Sequence, residues 1–329
     1  MHYSFVSLLA VASLSLFSVR TAPAATITEN FSSDPLAGSW SSTGETNLFY
    51  WNSTNQNLEV TWDSSKTNSF FSLPLPVTLT DTDDFTVAFD LQLSEATAGI
   101  DPQRPNIFQL SAGLLNLPQA LASTFNRVGG VACPNVMDFS FFPDPDGVLI
   151  GGSSVTAMAV DHTGNNWSSG GFAPLDLSMG DLFRITMTYH AAERKLSTQI
   201  VKNGAAFGTL VTTLGASFLG FQLSHLAVAS YSDEGQDPAW AGSILARGTI
   251  DNVELIVPDP TRLQGQWAAG KWEVQFNSRV NYTYTLERSE DFQTWSDASA
   301  PVEGTGAVLS IQETNAPAAQ AFYRIRVAQ

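Results

Sequence analysis

Two tryptophans stand where few neighbours can bury them. Trp167 lies in Thr163-Gly164-Asn165-Asn166-Trp167-Ser168-Ser169-Gly170-Gly171, and Trp240 in Asp237-Pro238-Ala239-Trp240-Ala241-Gly242. A large ring in a polar, Gly-rich loop has two fates. It stacks on the apolar face of a sugar while Asn165, Asn166 and Asp237 bond the hydroxyls, or it folds back as a plug over the end of the fold. The other tryptophans read differently. Trp40, Trp51 and Trp62 stand in or near apolar strand patterns and read as core. Trp267, Trp272 and Trp295 lie in the tail, where one is expected to fill the centre of a small module.

Side chains spaced for bond cleavage are harder to find. The nearest carboxylates on one strand face are Glu59 and Asp63. Four residues of strand separate them by roughly 13 Å of rise. Glycoside chemistry needs a pair about 5 Å apart for retention and up to about 9.5 Å apart for inversion. A Gly-x-Ser-x-Gly elbow and a His-Glu-x-x-His zinc site are both missing. No residue is therefore assigned a catalytic role. A pair contributed by separate strands stays open. Cys133 is the single cysteine, which excludes an intrachain disulfide, and its apolar setting reads as a buried, inert thiol. The acidic runs Asp81-Thr82-Asp83-Asp84 and Asp233-Glu234-Gly235-Gln236-Asp237 lack EF-hand spacing and read as solvated turns.

The elements that must position these residues are strands. Phe85, Val87, Phe89, Leu91 and Leu93 alternate with polar residues, as do Leu58, Val60 and Trp62, and Phe183, Ile185, Met187 and Tyr189. Tyr282, Tyr284 and Leu286, and Tyr323, Ile325 and Val327, repeat the pattern in the tail. One wet and one dry face per strand predicts an all-β, two-sheet antiparallel sandwich. Asn203-Gly204 predicts a two-residue hairpin. The one helical pattern is Leu114–Phe125, interrupted by Pro118.

The chain has 329 residues, with 15 Lys+Arg against 31 Asp+Glu and a net charge of −16. The acidity is concentrated in residues 26–258, with 8 basic and 23 acidic side chains. Such a surface repels phosphate backbones and anionic lipid, so nucleic acid and membrane surfaces are excluded as partners. Phe5 to Val19 is an apolar run without acidic residues, and Ala22-Pro23-Ala24 follows as a small-x-small step. This pattern predicts a signal peptide over 1–24. The run falls short of the roughly 20 residues that cross a bilayer, so no transmembrane anchor is expected in the mature chain. The expected location is secreted or cell-surface, or the periplasm. Pro258-Asp259-Pro260 predicts a boundary. The organisation reads as a domain over 25–257, a linker over 258–263 and a module over 264–329.

Glu29-Asn30-Phe31, Asn57-Leu58-Glu59-Val60-Thr61-Trp62-Asp63, Asp138-Phe139-Ser140-Phe141-Phe142 and Gly248-Thr249-Ile250-Asp251-Asn252-Val253-Glu254-Leu255 carry a resemblance. They resemble bacterial concanavalin A-like, or laminin-G-like, jelly-roll modules over nearly all of 26–257. Tyr284-Thr285-Leu286-Glu287-Arg288-Ser289 and Phe322-Tyr323-Arg324-Ile325-Arg326-Val327 resemble small immunoglobulin-like or fibronectin III-like modules. The second resemblance implies a spacer or attachment unit. The first implies a structural Ca²⁺ tying the first strand to the last, with Glu29 and Asp251 as its ligands. It also implies an extracellular glycan or cell-surface component as partner. The Gln-x-His and Tyr-x-Lys signatures of jelly-roll polysaccharide lyases are absent. The reading is an exported, non-catalytic glycan-binding or adhesion protein. The alternatives are a glycoside hydrolase or polysaccharide lyase with non-local catalytic residues, or a purely structural surface protein.

Overall fold

The computed structural model describes residues 24–127, 132–147, 149, 151–258, 263–268, 271–279, 282–314 and 321–328. The expected signal peptide, except Ala24, and most of the expected linker lie outside the described residues. The body is a two-sheet antiparallel jelly-roll sandwich. The nine-stranded sheet runs in the order Ala205–Thr213, Lys195–Lys202, Leu182–His190, Phe85–Ala98, Gly242–Pro258, Asn57–Asp63 and Phe49–Asn52. Ala24–Glu29 and Asn106–Ile107 also pair with Gly242–Pro258. The seven-stranded sheet runs Trp167–Ser169, Ser154–Val160, Val136–Phe142, Leu110–Leu115, Gln222–Ser230, Ser69–Thr80 and Ser41–Thr43.

The period-two pattern explains the packing. Phe85, Val87, Phe89, Leu91 and Leu93 are all buried, and so are Leu58, Val60 and Trp62. Phe89 of one sheet meets Phe139 of the other edge-on, with ring centroids 6.4 Å apart. Asn203 and Gly204 both take positive φ (50° and 83°), which turns Lys195–Lys202 back into Ala205–Thr213.

The helical pattern over Leu114–Phe125 is corrected to a single turn, Leu117–Ala120. Leu114 and Leu115 belong to a strand. Asn116 caps the turn by accepting the Gln119 amide, and Pro118 sits in the first turn, where its missing N–H costs nothing. Beyond Leu263 the tail forms its own sheets of three and four strands around Val274, Phe276, Tyr284, Leu286 and Ile311. No tryptophan fills that centre. Trp272 lies at its edge, stacked on Tyr323 at 5.1 Å. Arg279 reaches back to the body, donating to the Thr78 carbonyl at 2.9 Å and pairing with Asp83.

Candidate functional site

Alternation on Val136–Phe142 sends Phe139 and Phe141 into the sandwich and turns Asp138, Ser140 and Phe142 to the far face of the seven-stranded sheet. Met158 and Gly113 flank Asp138 on the neighbouring strands. A Cβ at Gly113 would stand 2.5 Å from the Asp138 Cα, so glycine there permits the close pairing. This far face is not wet. Arg127 crosses it from the loop after the helical turn, and both Arg127 and Asp138 are about 2% exposed. The guanidinium grips the carboxylate through Nη2 at 2.7 Å and Nε at 3.2 Å. Ser111 Oγ and the Tyr231 hydroxyl donate to Asp138 at 2.7 and 3.3 Å.

Burial opposes the Arg127 charge most strongly, but Asp138 beside it, Cys133 and Tyr231 together outweigh burial and hold the guanidinium protonated. Burial chiefly, and Asp138 after it, push the Tyr231 phenol well up. Burial likewise raises the Cys133 thiol. Neither group is poised as a base or nucleophile near neutral pH. The pair is a structural lock whose charges cancel.

Beside this lock lies a cleft of about 900 Å³. Its lining includes Arg127, Met158 and Gln109, with Phe108, Phe142 and Phe172, and with Trp167, Trp240 and Asp237. Three rings stay open to solvent: Trp167 at 47%, Phe172 at 54% and Trp240 at 78% exposure. Phe172 leans edge-on against Phe142 at 5.4 Å. Gln109 is 6% exposed, and its Nε2 has no hydrogen-bond partner among the described residues.

Two braced loops hold the tryptophans. Buried Asp161 accepts from Thr163 N and Oγ1 and from Asn166 Nδ2 at 2.7 Å. Burial raises its carboxyl, and these bonds together with the Leu219 amide outweigh that, leaving it below the usual range. The loop then enters the edge strand with Trp167 opposite Val160. In the second loop, Gln236 spans the turn by donating to the Asp233 and Gly242 carbonyls and accepting the Gly242 amide. Asp237 accepts the Ala239 amide at 2.8 Å, shaping the turn that lifts Trp240 outward.

The structure therefore brings Trp167, Trp240 and Asp237 into one lining. It does not bring Asn165 or Asn166 there: Asn165 is exposed outside the cleft, and the Asn166 side-chain amide donates to Asp161. Glu59 and Asp63 belong to the other sheet, where Glu59 accepts from Asn52 Nδ2 and Asp63 from Ser65. Sequence reasoning missed Arg127, Asp138 and Gln109. An outward Asp on a strand reads as solvated, and no periodicity announces that Arg127, eleven residues upstream, folds back over it.

The first and last body strands do pair, with Glu29 opposite Val253, and the register slips between Asp251 and Glu254 as expected of a bulge. The residues there do not fit Ca²⁺. Glu29 Oε1 accepts the Phe31 amide at 2.7 Å and Oε2 the Trp40 indole at 3.1 Å. Neighbouring Asp90 accepts from Arg184 and from Asn252 Nδ2. Nitrogen donors crowd the space where an ion needs six to eight oxygens. No group of three or more metal-ligating side chains occurs among the described residues. Partial burial chiefly pushes the Asp251 carboxyl up, with Asp90 and Glu29 adding to it. Glu29 instead fixes a corner, where Phe31 is fully buried at φ 50° and its carbonyl accepts the Trp51 indole.

No family model matches the chain, and no curated protein matches it. Solved structures resemble it distantly. A Lotus tetragonolobus seed lectin is 11% identical over 72% of this chain and 100% of its own, with a TM-score of 0.47. Lectin I from Ulex europaeus, solved with the methyl glycoside of α-L-fucose, is 10% identical over 71% of this chain and 98% of its own, at 0.42. Alginate lyase Aly36B is 10% identical over 70% and 96%, at 0.40. Likeness this remote leaves ligand and chemistry to be argued from this chain's own residues. No described helix is long and apolar enough to cross a membrane.

Proposed function

We propose that the protein is an exported glycan-binding protein that holds a saccharide, without turnover, in the cleft between Trp167 and Trp240. The observation that carries this reading is the pairing of exposed rings with a floor that has hydrogen-bonding groups but no free acid–base pair. Trp240 is 78% exposed on a braced loop, so its ring is offered rather than buried. Asp237 is the one exposed carboxylate in the lining among the described residues, and Asp138 behind it is locked to Arg127. A glycosidase needs two carboxyl groups free to act as acid and base or nucleophile. The leader pattern over 1–24 supports export. The tail, as an immunoglobulin-like or fibronectin III-like unit, serves as the spacer or attachment module.

A glycan array with purified residues 25–329, followed by calorimetry, tests the proposal. Trp240→Ala should lose roughly 1–3 kcal/mol of binding, the scale of burying a large side chain, with little change in melting temperature. A parent protein that binds no glycan, with Trp167→Ala and Trp240→Ala both strongly destabilised, would make the rings plugs. Release of reducing or unsaturated sugar from a polysaccharide panel would establish the enzyme instead.

A further inference from the structure

Resting on that reading, we infer that the cleft selects uncharged saccharides and rejects uronates and sulfated sugars. Only two charged side chains line it among the described residues, Arg127 and Asp237. Arg127 is the one cation, the group an acidic sugar would seek. It is withdrawn from that role: two of its nitrogens bond Asp138, a third points at Met158 Sδ at 3.6 Å, and its plane lies over the Tyr231 ring. The buried pair carries no net charge, and moving the guanidinium toward a ligand would strand Asp138 in the interior. Asp237, exposed at the rim, then sets the sign of the field that an incoming ligand meets. The surrounding body adds to it, with 23 acidic against 8 basic side chains over residues 26–258.

What remains for recognition is neutral. The rings of Trp167, Trp240 and Phe172 offer apolar faces. Gln109 supplies a buried Nε2 donor with no partner among the described residues, placed to reward a hydroxyl, ring or carbonyl oxygen. A pyranose without carboxylate or sulfate satisfies all of these. An acidic one brings a charge that finds no free cation.

The experiment is calorimetric titration of residues 25–329 with neutral hexasaccharides (gluco-, manno-, galacto- and N-acetylgluco-) and with oligouronates of matched length. A neutral sugar should bind at least about tenfold tighter than any oligouronate at low salt, as repulsion of this kind predicts. The gap should narrow as salt screens the rim. Asp237→Asn should shift the ratio several-fold toward the oligouronate. Asp138→Asn, which frees the Arg127 charge, should shift it further; if that variant does not fold, Asp237→Asn carries the test. Gln109→Leu should weaken the neutral sugar by roughly three- to tenfold. An oligouronate bound as tightly as the best neutral sugar overturns the inference and leaves glycan binding standing. Binding of neither class overturns both.

Discussion

The body and the tail are both β-structures, but different forces hold them. In the body one continuous apolar cluster runs from Phe31 to Val257, and the principal ion pair, Arg127–Asp138, lies deep against it. In the tail the buried apolar cluster among the described residues is just Val274, Phe276, Tyr284, Leu286 and Ile311. Two of its carboxylates, Glu287 and Glu313, sit just beneath the surface, held by partly exposed arginines. Glu287 takes Arg324 at 2.6 Å and Arg326 at 2.7 Å, and Glu313 takes Arg288 at 2.6 Å and the Tyr323 hydroxyl at 2.7 Å. A small unit buries a smaller fraction of its apolar surface, so charge takes a larger share of the work. The body should resist salt and acid where the tail yields.

The largest effect should come from breaking the body's buried pair. Asp138→Ala leaves Arg127 without a counter-charge and should cost about 3–5 kcal/mol, read as a lower urea midpoint for the body with the tail transition unmoved. An unchanged midpoint would mean that Arg127 reaches solvent, and the contrast between the two regions would fall.

Acidification should act first on the other region, since the body's lowered carboxyl at Asp161 braces one loop and not its paired strands. Arg324 foremost, and Arg326 with it, hold the Glu287 carboxyl below its usual range, and the hydrogen bonds of Ser310 and Gln266 do the same for Glu273. A lowered folded-state value means the stabilisation is present above the unfolded-state value of about 4.3. It is lost as pH falls through the lower folded-state value. Hydrogen exchange between pH 5 and pH 2 should therefore open Thr283–Ser289 and Phe322–Ala328 before the strands of the body. Simultaneous opening of both would show that the tail has no separate weakness. The smallest effect should come from chelation. With Glu29 committed to Phe31 and Trp40, EDTA should leave the body's melting temperature where it was. A clear fall would restore an ion to that corner.

The fold was legible because its strands have one dry face. Leu58, Val60 and Trp62, or Phe85 through Leu93, need only local alternation to be read. The loop tryptophans were legible for the converse reason, since nothing near them in sequence could bury a ring. The floor of the cleft was hidden. Asp138 alternates outward like any solvated residue, and it is buried by Arg127, from the irregular loop just upstream, and by Tyr231 from far along the chain. Gln109 looks unremarkable until its missing partner is seen. The placement of Glu29 and Asp251 on paired strands was readable, with the bulge between Asp251 and Glu254. The donors that occupy Glu29, Trp40 and the Phe31 amide, were not, because they come from a corner whose backbone conformation no periodicity announces.

In the chain the tail follows Gly242–Pro258, a 17-residue strand that pairs with Phe85–Ala98, Asn57–Asp63 and Ala24–Glu29. Antiparallel ladder bonds lie across the strand direction. A pull on the tail along that axis therefore loads many of them at once in shear, rather than opening them one after another from an end. If the tail is tethered while the cleft grips a surface, the attachment strand is the one best built to bear tension. Single-molecule stretching should find the tail extending first and the body holding to a higher force.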